Sequence, residues 1–198
     1  MKRKSSLGIV FIIIGLVLFS IPIHYEWKKG KEIAALEEAF SLISSPQEAP
    51  VDLSLIDDVH LNDEELQDLV KLEIPTIGLD QIILREPTEE NLSLTLTQIK
   101  YEQVPGKGNF TIAGHRGYRE NRLFRNLPDV EIGDKAFLNT GTQTFVYEIT
   151  SSTVISPTQV DVLEDNKKKA EITMITCTLS GLERIAVKGE LIQINDSL

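Results

Sequence analysis

Three residues in this chain have side chains suited to acyl transfer. Cys177 is the only cysteine, and it closes a run of β-formers, Glu171-Ile-Thr-Met-Ile-Thr-Cys177. Arg184 opens the next such run, Arg-Ile-Ala-Val-Lys-Gly-Glu-Leu-Ile. The six residues between them, Thr178 to Glu183, contain the turn pair Ser180-Gly181. A hairpin of this length sets Cys177 and Arg184 side by side at one end of a sheet. A thiolate attacks a carbonyl, a guanidinium supplies N–H donors to the oxyanion that develops, and a third group must protonate the leaving amine. His115, at the end of Asn109-Phe-Thr-Ile-Ala-Gly-His115, supplies that acid and base. Taken singly, each residue has a plainer role: a lone cysteine is ordinarily a small buried hydrophobe, and a strand-end histidine is ordinarily structural or exposed. No Asp or Asn is evidently placed to orient the histidine, which argues against a papain-like triad.

The elements that must carry these residues are mostly strands. Alternation in Leu69–Ile74, a short run at Gln81–Leu84, Asn109–Gly114, a hairpin of Ala136–Asn139 with Thr144–Ile149 extending towards Ile155, and the two strands around Cys177 and Arg184 predict an all-β domain. Seven or eight short strands with little helix argue for a closed barrel or a sandwich. Thr88 is placed to cap a short helix through Leu94, with Glu89 and Glu90 in its first turn. Single helical turns are expected at Asn121–Leu127 and Val160–Leu163.

Ahead of this domain lie two segments of different character. Leu7 to Ile23 is uncharged and apolar, preceded by Lys2, Arg3 and Lys4 and followed by Tyr25 and Trp27. With its flanks it is close to the length that crosses a bilayer, and the aromatic pair suits the interface. No small-x-small cleavage pattern follows, so an uncleaved anchor is expected rather than a signal peptide. The basic tip places the N-terminus in the cytoplasm and the rest of the chain outside, a bias that Lys28, Lys29 and Lys31 weaken. Residues 1–25 form the tip and anchor, 26–66 a juxtamembrane helix and an acidic, proline-containing arm, and 67–198 the β domain.

The chain carries a net charge of −10, and from Glu26 onward 17 basic residues face 30 acidic ones, a balance of −13. With no basic stripe to neutralise phosphates, nucleic-acid binding is excluded. One cysteine forms no internal disulfide.

The joint pattern resembles the sortases. Thr173-Met-Ile-Thr-Cys177 is similar to the family signature Thr-Leu-x-Thr-Cys, with Met174 in place of leucine; Ala113-Gly-His115 resembles the strand carrying the family histidine; and Arg184 matches the arginine that opens the last strand. The resemblance covers about Leu69 to Ile194. It implies a closed eight-stranded sortase-type β-barrel with a few short helices and a catalytic set of Cys177, His115 and Arg184. Thr176 and Ala113 match positions near the substrate groove. The implied reaction is cleavage of a Leu-Pro-x-Thr-Gly-like signal on a secreted protein between Thr and Gly, through a thioester. A peptidoglycan precursor or a pilin lysine supplies the accepting amine. The polar C-terminus and the lack of an Asp-Pro-aromatic lid motif point to a class A-, D- or E-like enzyme rather than a pilin-polymerising one.

No cofactor is assigned. Some sortases bind calcium through acidic loops, and Glu102, Asp161, Glu164 and Asp165 are the loop carboxylates available; acidic loop residues are ordinarily just solvated. Two other readings compete with a transpeptidase. One is a tethered, non-catalytic barrel that binds cell-wall material. The other is a metal site of His60, His115 and Cys177, which lacks metal-ligand spacing.

Overall fold

A computed structural model describes residues 2–44, 65–66, 68–117 and 122–196. The β domain is a closed barrel of eight strands. In chain order they are β1 (Val70–Ile74), β2 (Leu79–Leu84), β3 (Leu96–Gln98), β4 (Asn109–Ala113), β5 (Lys135–Asn139), β6 (Gln143–Ile155), β7 (Glu171–Cys177) and β8 (Arg184–Asp196). Around the barrel the order is β1-β2-β3-β4-β7-β8-β6-β5, with β5 closing on β1. Two neighbouring pairs, β2 with β3 and β4 with β7, are parallel; the rest are antiparallel.

Alternation decides which side chains fill the barrel. Phe110 and Ile112 of β4, Ile172 and Met174 of β7, and Ile185 and Val187 of β8 point inward and join the main core with Leu72, Leu138 and Tyr147. Their neighbours, including Ala113, Ile175 and Ala186, therefore face out. Closure leaves no sheet edge open, which removes the usual route to edge-to-edge pairing.

The helix expected from Thr88 is present as Glu89–Leu94 (α2), and the Asn91 amide donates to Thr88 Oγ1 at 3.1 Å. One expectation needs correction. The helical turn placed at Asn121–Leu127 lies later, as a 3-10 turn at Leu127–Asp129, because Pro128 at its second position presets the turn. The turn near Val160–Leu163 is a 3-10 turn at Asp161–Leu163. Strand β3 was not foreseen.

The N-terminal segment is one helix, α1, from Lys2 to Ser44. Among the described residues its apolar part is exposed along its length, and it fits a membrane anchor. Pro22 lies within it; a missing helical hydrogen bond is tolerated in such helices. The second half of α1 packs on the barrel: Leu36, Ala39 and Phe40 bury against Leu66, Leu69, Ile82 and Leu84. Lys71 Nζ, on β1, bridges Glu37 on α1 and Asp80 on β2, each at 2.9 Å. Burial works against the Lys71 charge, but bonds from Asp80 and Glu37 outweigh it and raise the Lys71 pKa. The juxtamembrane helix is thus an integral layer of the domain. The arm beyond it, including His60, lies outside the described residues.

Candidate active site

The site is built by register. Cys177, last in β7, pairs with Arg184, first in β8. Strands β4 and β7 run parallel with Ala113 opposite Ile175, and the Gly114 amide donates to the Ile175 carbonyl at 3.1 Å. Continuing that register by two residues brings His115 level with Cys177. The histidine stands two residues beyond the end of β4 rather than at its last position. The parity that sends Phe110, Met174 and Ile185 inward sends His115, Cys177 and Arg184 outward, in one row across three adjacent strands.

Each member of the row is accessible. His115 is exposed, and Cys177 and Arg184 are half-buried. Arg184 Nη1 donates to the carbonyls of Gly181 and Glu183, each at 3.1 Å. Those two bonds fold the guanidinium onto the β7–β8 loop, and a guanidinium has five N–H donors in all. Behind His115, the Phe124 amide donates to the His115 carbonyl at 3.0 Å and ties the following segment down. Among the described residues, no side chain is hydrogen-bonded to the imidazole.

Thr176 and Ala113 take different places. Ala113 faces out and is half-buried, one row below His115, with Ile175 beside it on β7. Thr176 points in, is 2 % exposed, and its hydroxyl donates to the Gly114 carbonyl at 2.9 Å. This bond joins the residue before the cysteine to the residue before the histidine. It was not foreseen, because it spans 62 positions in the chain. Thr176→Val keeps the shape and removes the bond, leaving a buried acceptor short of a partner at a cost of about 1–3 kcal/mol. The expected outcome is a fall of about tenfold in turnover with a smaller change in peptide affinity, read from kcat and KM separately.

The outer face of β4 and β7 continues below this row. Its lower part is covered: Thr173 Oγ1 donates to Asn109 Oδ1 at 2.7 Å, and Asn109 Nδ2 reaches the Val162 and Glu164 carbonyls of the β6–β7 segment. Asp165 pins the same segment, accepting from the Asn109 amide at 3.0 Å and from Lys100 Nζ at 2.6 Å. The Lys100 ammonium, with the Asn109 amide, holds the Asp165 carboxyl below the usual carboxylate range. Asp165, one of the four carboxylates considered for calcium, is therefore engaged by a lysine. Among the described residues, no group of three or more His, Cys, Asp or Glu is arranged to hold a metal ion. What remains open at the upper end is the floor of Ala113 and Ile175 beneath His115 and Cys177.

A thiol, an imidazole and a guanidinium in one row at the end of a closed barrel have the composition of a cysteine acyl-transfer centre. Comparison with known proteins agrees. The sortase domain profile matches residues 72–192, more than half of the chain. Sortase A of Bacillus anthracis is 28 % identical over 198 residues, covering 95 % of this chain and 94 % of the relative. Among solved structures, Listeria monocytogenes sortase A superposes with a TM-score of 0.61 at 30 % identity, covering 64 % of this chain and 88 % of the other. A Clostridium perfringens sortase D5 transpeptidase gives 0.65 at 29 % identity, covering 83 % and 99 %. The chain belongs to the sortase family. It is a cysteine transpeptidase built on the eight-stranded barrel, with an N-terminal helix that fits the membrane association of its relatives.

Proposed function

We propose that this sortase cleaves a Leu-Pro-x-Thr-Gly-like sorting signal between Thr and Gly and passes the protein to an amine of the cell wall. The observation that supports this reading above others is the single row of His115, Cys177 and Arg184, set by the β4–β7–β8 register above an apolar floor of Ala113 and Ile175. The Cys177 thiolate attacks the threonine carbonyl. A bond forms between Sγ and the carbonyl carbon, and the electron pair of the C=O moves onto oxygen. The guanidinium of Arg184 donates to that oxyanion. As the tetrahedral species collapses, the C–N bond breaks and the His115 imidazolium gives its proton to the departing glycine amine. The thioester left on Cys177 is then attacked by an acceptor amine. His115 takes up the proton of that amine, and the new amide releases the thiolate.

Ala113 and Ile175 would contact the signal peptide, and Thr176 would hold the Gly114–His115 backbone level with the nucleophile. The acceptor is a peptidoglycan-precursor amine. Resemblance to class A and class D enzymes supports this housekeeping type of acceptor over a pilin lysine. The basic N-terminal tip supports a cytoplasmic N-terminus with the barrel on the outer face.

The test is to mix the full-length chain in detergent with a library of Leu-Pro-x-Thr-Gly-related peptides and to record intact mass with and without hydroxylamine. The expected result is an acyl adduct on Cys177 that hydroxylamine removes as a hydroxamate. No adduct across the library, with Cys177 also inert to alkylation, would replace this reading with the non-catalytic barrel.

A further inference from the structure

We propose that the catalytic end of the barrel rests on the bilayer surface, with Leu179 and Leu182 of the β7–β8 loop seated among the lipid headgroups. The proposal takes the apolar part of α1 to be a membrane span.

Strand directions fix which end is which. β4 and β7 run towards the His115–Cys177–Arg184 row, whereas the β5–β6 turn at Thr140–Thr142 lies at the opposite end, since Gln143 pairs with Asp196 and Ile155 with Arg184. Helix α1 is docked along this axis with a definite polarity. Its last residues touch the far end: a Cβ on Gly141 would meet Ile43 Cγ2 at 3.0 Å. Its residues just after the apolar run touch the catalytic end. Lys29 Nζ donates to the Ser93 carbonyl at 3.2 Å, and Ser93 belongs to the short helix leading into Leu96, the residue that packs on Gly114. Arg122 Nη1 lies 3.9 Å from Glu26, and Arg122 is in the segment tied to His115 through Phe124.

Distance along the helix then sets the height above the membrane. At a rise of 1.5 Å per residue, Glu26 stands only about 5 Å beyond Ile23, and Lys29 about 9 Å. The polar interfacial layer is itself about 5–8 Å thick on each side of the hydrocarbon core. A bend at Pro22 would change the tilt of the span but not this spacing, because every barrel contact comes after it. The catalytic end has no room to stand away from the surface.

What it presents there suits a lipid interface. Leu179 and Leu182 are 78 % and 76 % exposed among the described residues. The loop displays them on a hydrogen-bonded turn, with the Thr178 amide donating to the Glu183 carbonyl and the Gly181 amide to the Thr178 carbonyl, both at 3.0 Å. Although the chain as a whole is acidic, this end carries Arg116, Arg125 and Arg184, and Arg122 paired with Glu26, against Glu183 in the loop and Glu89 and Glu90 on the short helix. Apolar side chains flanked by arginines bind anionic interfaces through burial and charge together. The partner of this surface is an anionic phospholipid bilayer.

The experiment uses the full chain in the Cys177→Ala background, reconstituted into vesicles of phosphatidylcholine and phosphatidylglycerol. Three single-site probes carry the same environment-sensitive fluorophore: Leu182→Cys in the loop, Thr142→Cys at the far end, and Phe11→Cys in the anchor. Headgroup-spin-labelled lipid is the quencher. The expected result is strong quenching at Phe11 and at least severalfold more quenching at Leu182 than at Thr142. Quenching at Phe11 with Leu182 and Thr142 alike would overturn the proposal and leave the anchor standing. An unquenched Phe11 probe would remove the anchor, and the proposal with it.

Discussion

Cys177→Ala is expected to abolish thioester formation and to lower peptide transfer by about 10⁴-fold or more, while the barrel unfolds at an unchanged temperature. The rate effect follows from removing the atom that forms the covalent bond, for which nothing else in the row substitutes. The unchanged stability follows from the position of Cys177: it is half-buried on the outer face at the end of β7, so its loss opens no cavity in the core. The other two members of the row should grade below it. His115→Ala removes proton transfer, worth about 10²–10⁴-fold. Arg184→Ala removes an oxyanion donor, worth about 10²–10³-fold. Because the three act as a unit, His115→Ala combined with Cys177→Ala should be no worse than Cys177→Ala alone. Single-turnover mass spectrometry for the adduct, with calorimetry for the fold, checks all of these. Normal turnover by Cys177→Ala would remove the nucleophile from the mechanism.

Gly114→Ala is expected to reduce activity by about 100-fold without altering any functional group. A Cβ at this position would come within 2.4 Å of Leu96 Cδ2 and 2.8 Å of Phe124 Cδ2, closer than real contacts allow. Neither neighbour can retreat freely: Leu96 and Phe124 are both fully buried. Overpacking of this kind costs about 1–3 kcal/mol. Part of that strain must go into moving the backbone that carries His115, and a shift of about 1 Å in a reacting group costs on the order of 10² in rate. The discriminating measurement is the acylation rate against alkylation of Cys177 by a small reagent. Acylation should fall while alkylation stays near wild type, because the thiol itself is not displaced. Equal losses in both would mean that β7 has moved as well, and that Gly114 serves the barrel rather than the histidine.

How far the sequence revealed this site depended on distance along the chain. Cys177 and Arg184 are joined by six residues, so hairpin geometry alone brought them together, and the structure pairs them in register. His115 approaches Cys177 through a parallel pairing between β4 and β7, which leaves no local turn signal. The need for a proton donor and the place of His115 at a strand end suggested the partnership, and the resemblance to a family strengthened it. The same reason hides Thr176, whose inward hydroxyl reaches Gly114. Strand β3 is three residues long, Leu96–Gln98, and is held by a parallel neighbour on one side and an antiparallel one on the other. A segment that short has no period to detect. The docked half of α1 was legible as a helix but not as a layer of the barrel, because its charged residues, such as Glu37, look solvated until Lys71 is placed opposite.

The parallel pairing of β4 with β7 also has a consequence for how the enzyme comes into being. The segments that carry the imidazole and the thiol meet only after everything between them, including the β5–β6 hairpin, has been laid down and the ring is nearly closed. Closing so long a loop is paid for before the contact returns anything, which makes this pairing late and slow. A chain still emerging from its membrane, or only partly collapsed, holds a thiol with no proton donor beside it. Ring closure therefore completes the row: the imidazole and the thiol come level only when β4 and β7 pair.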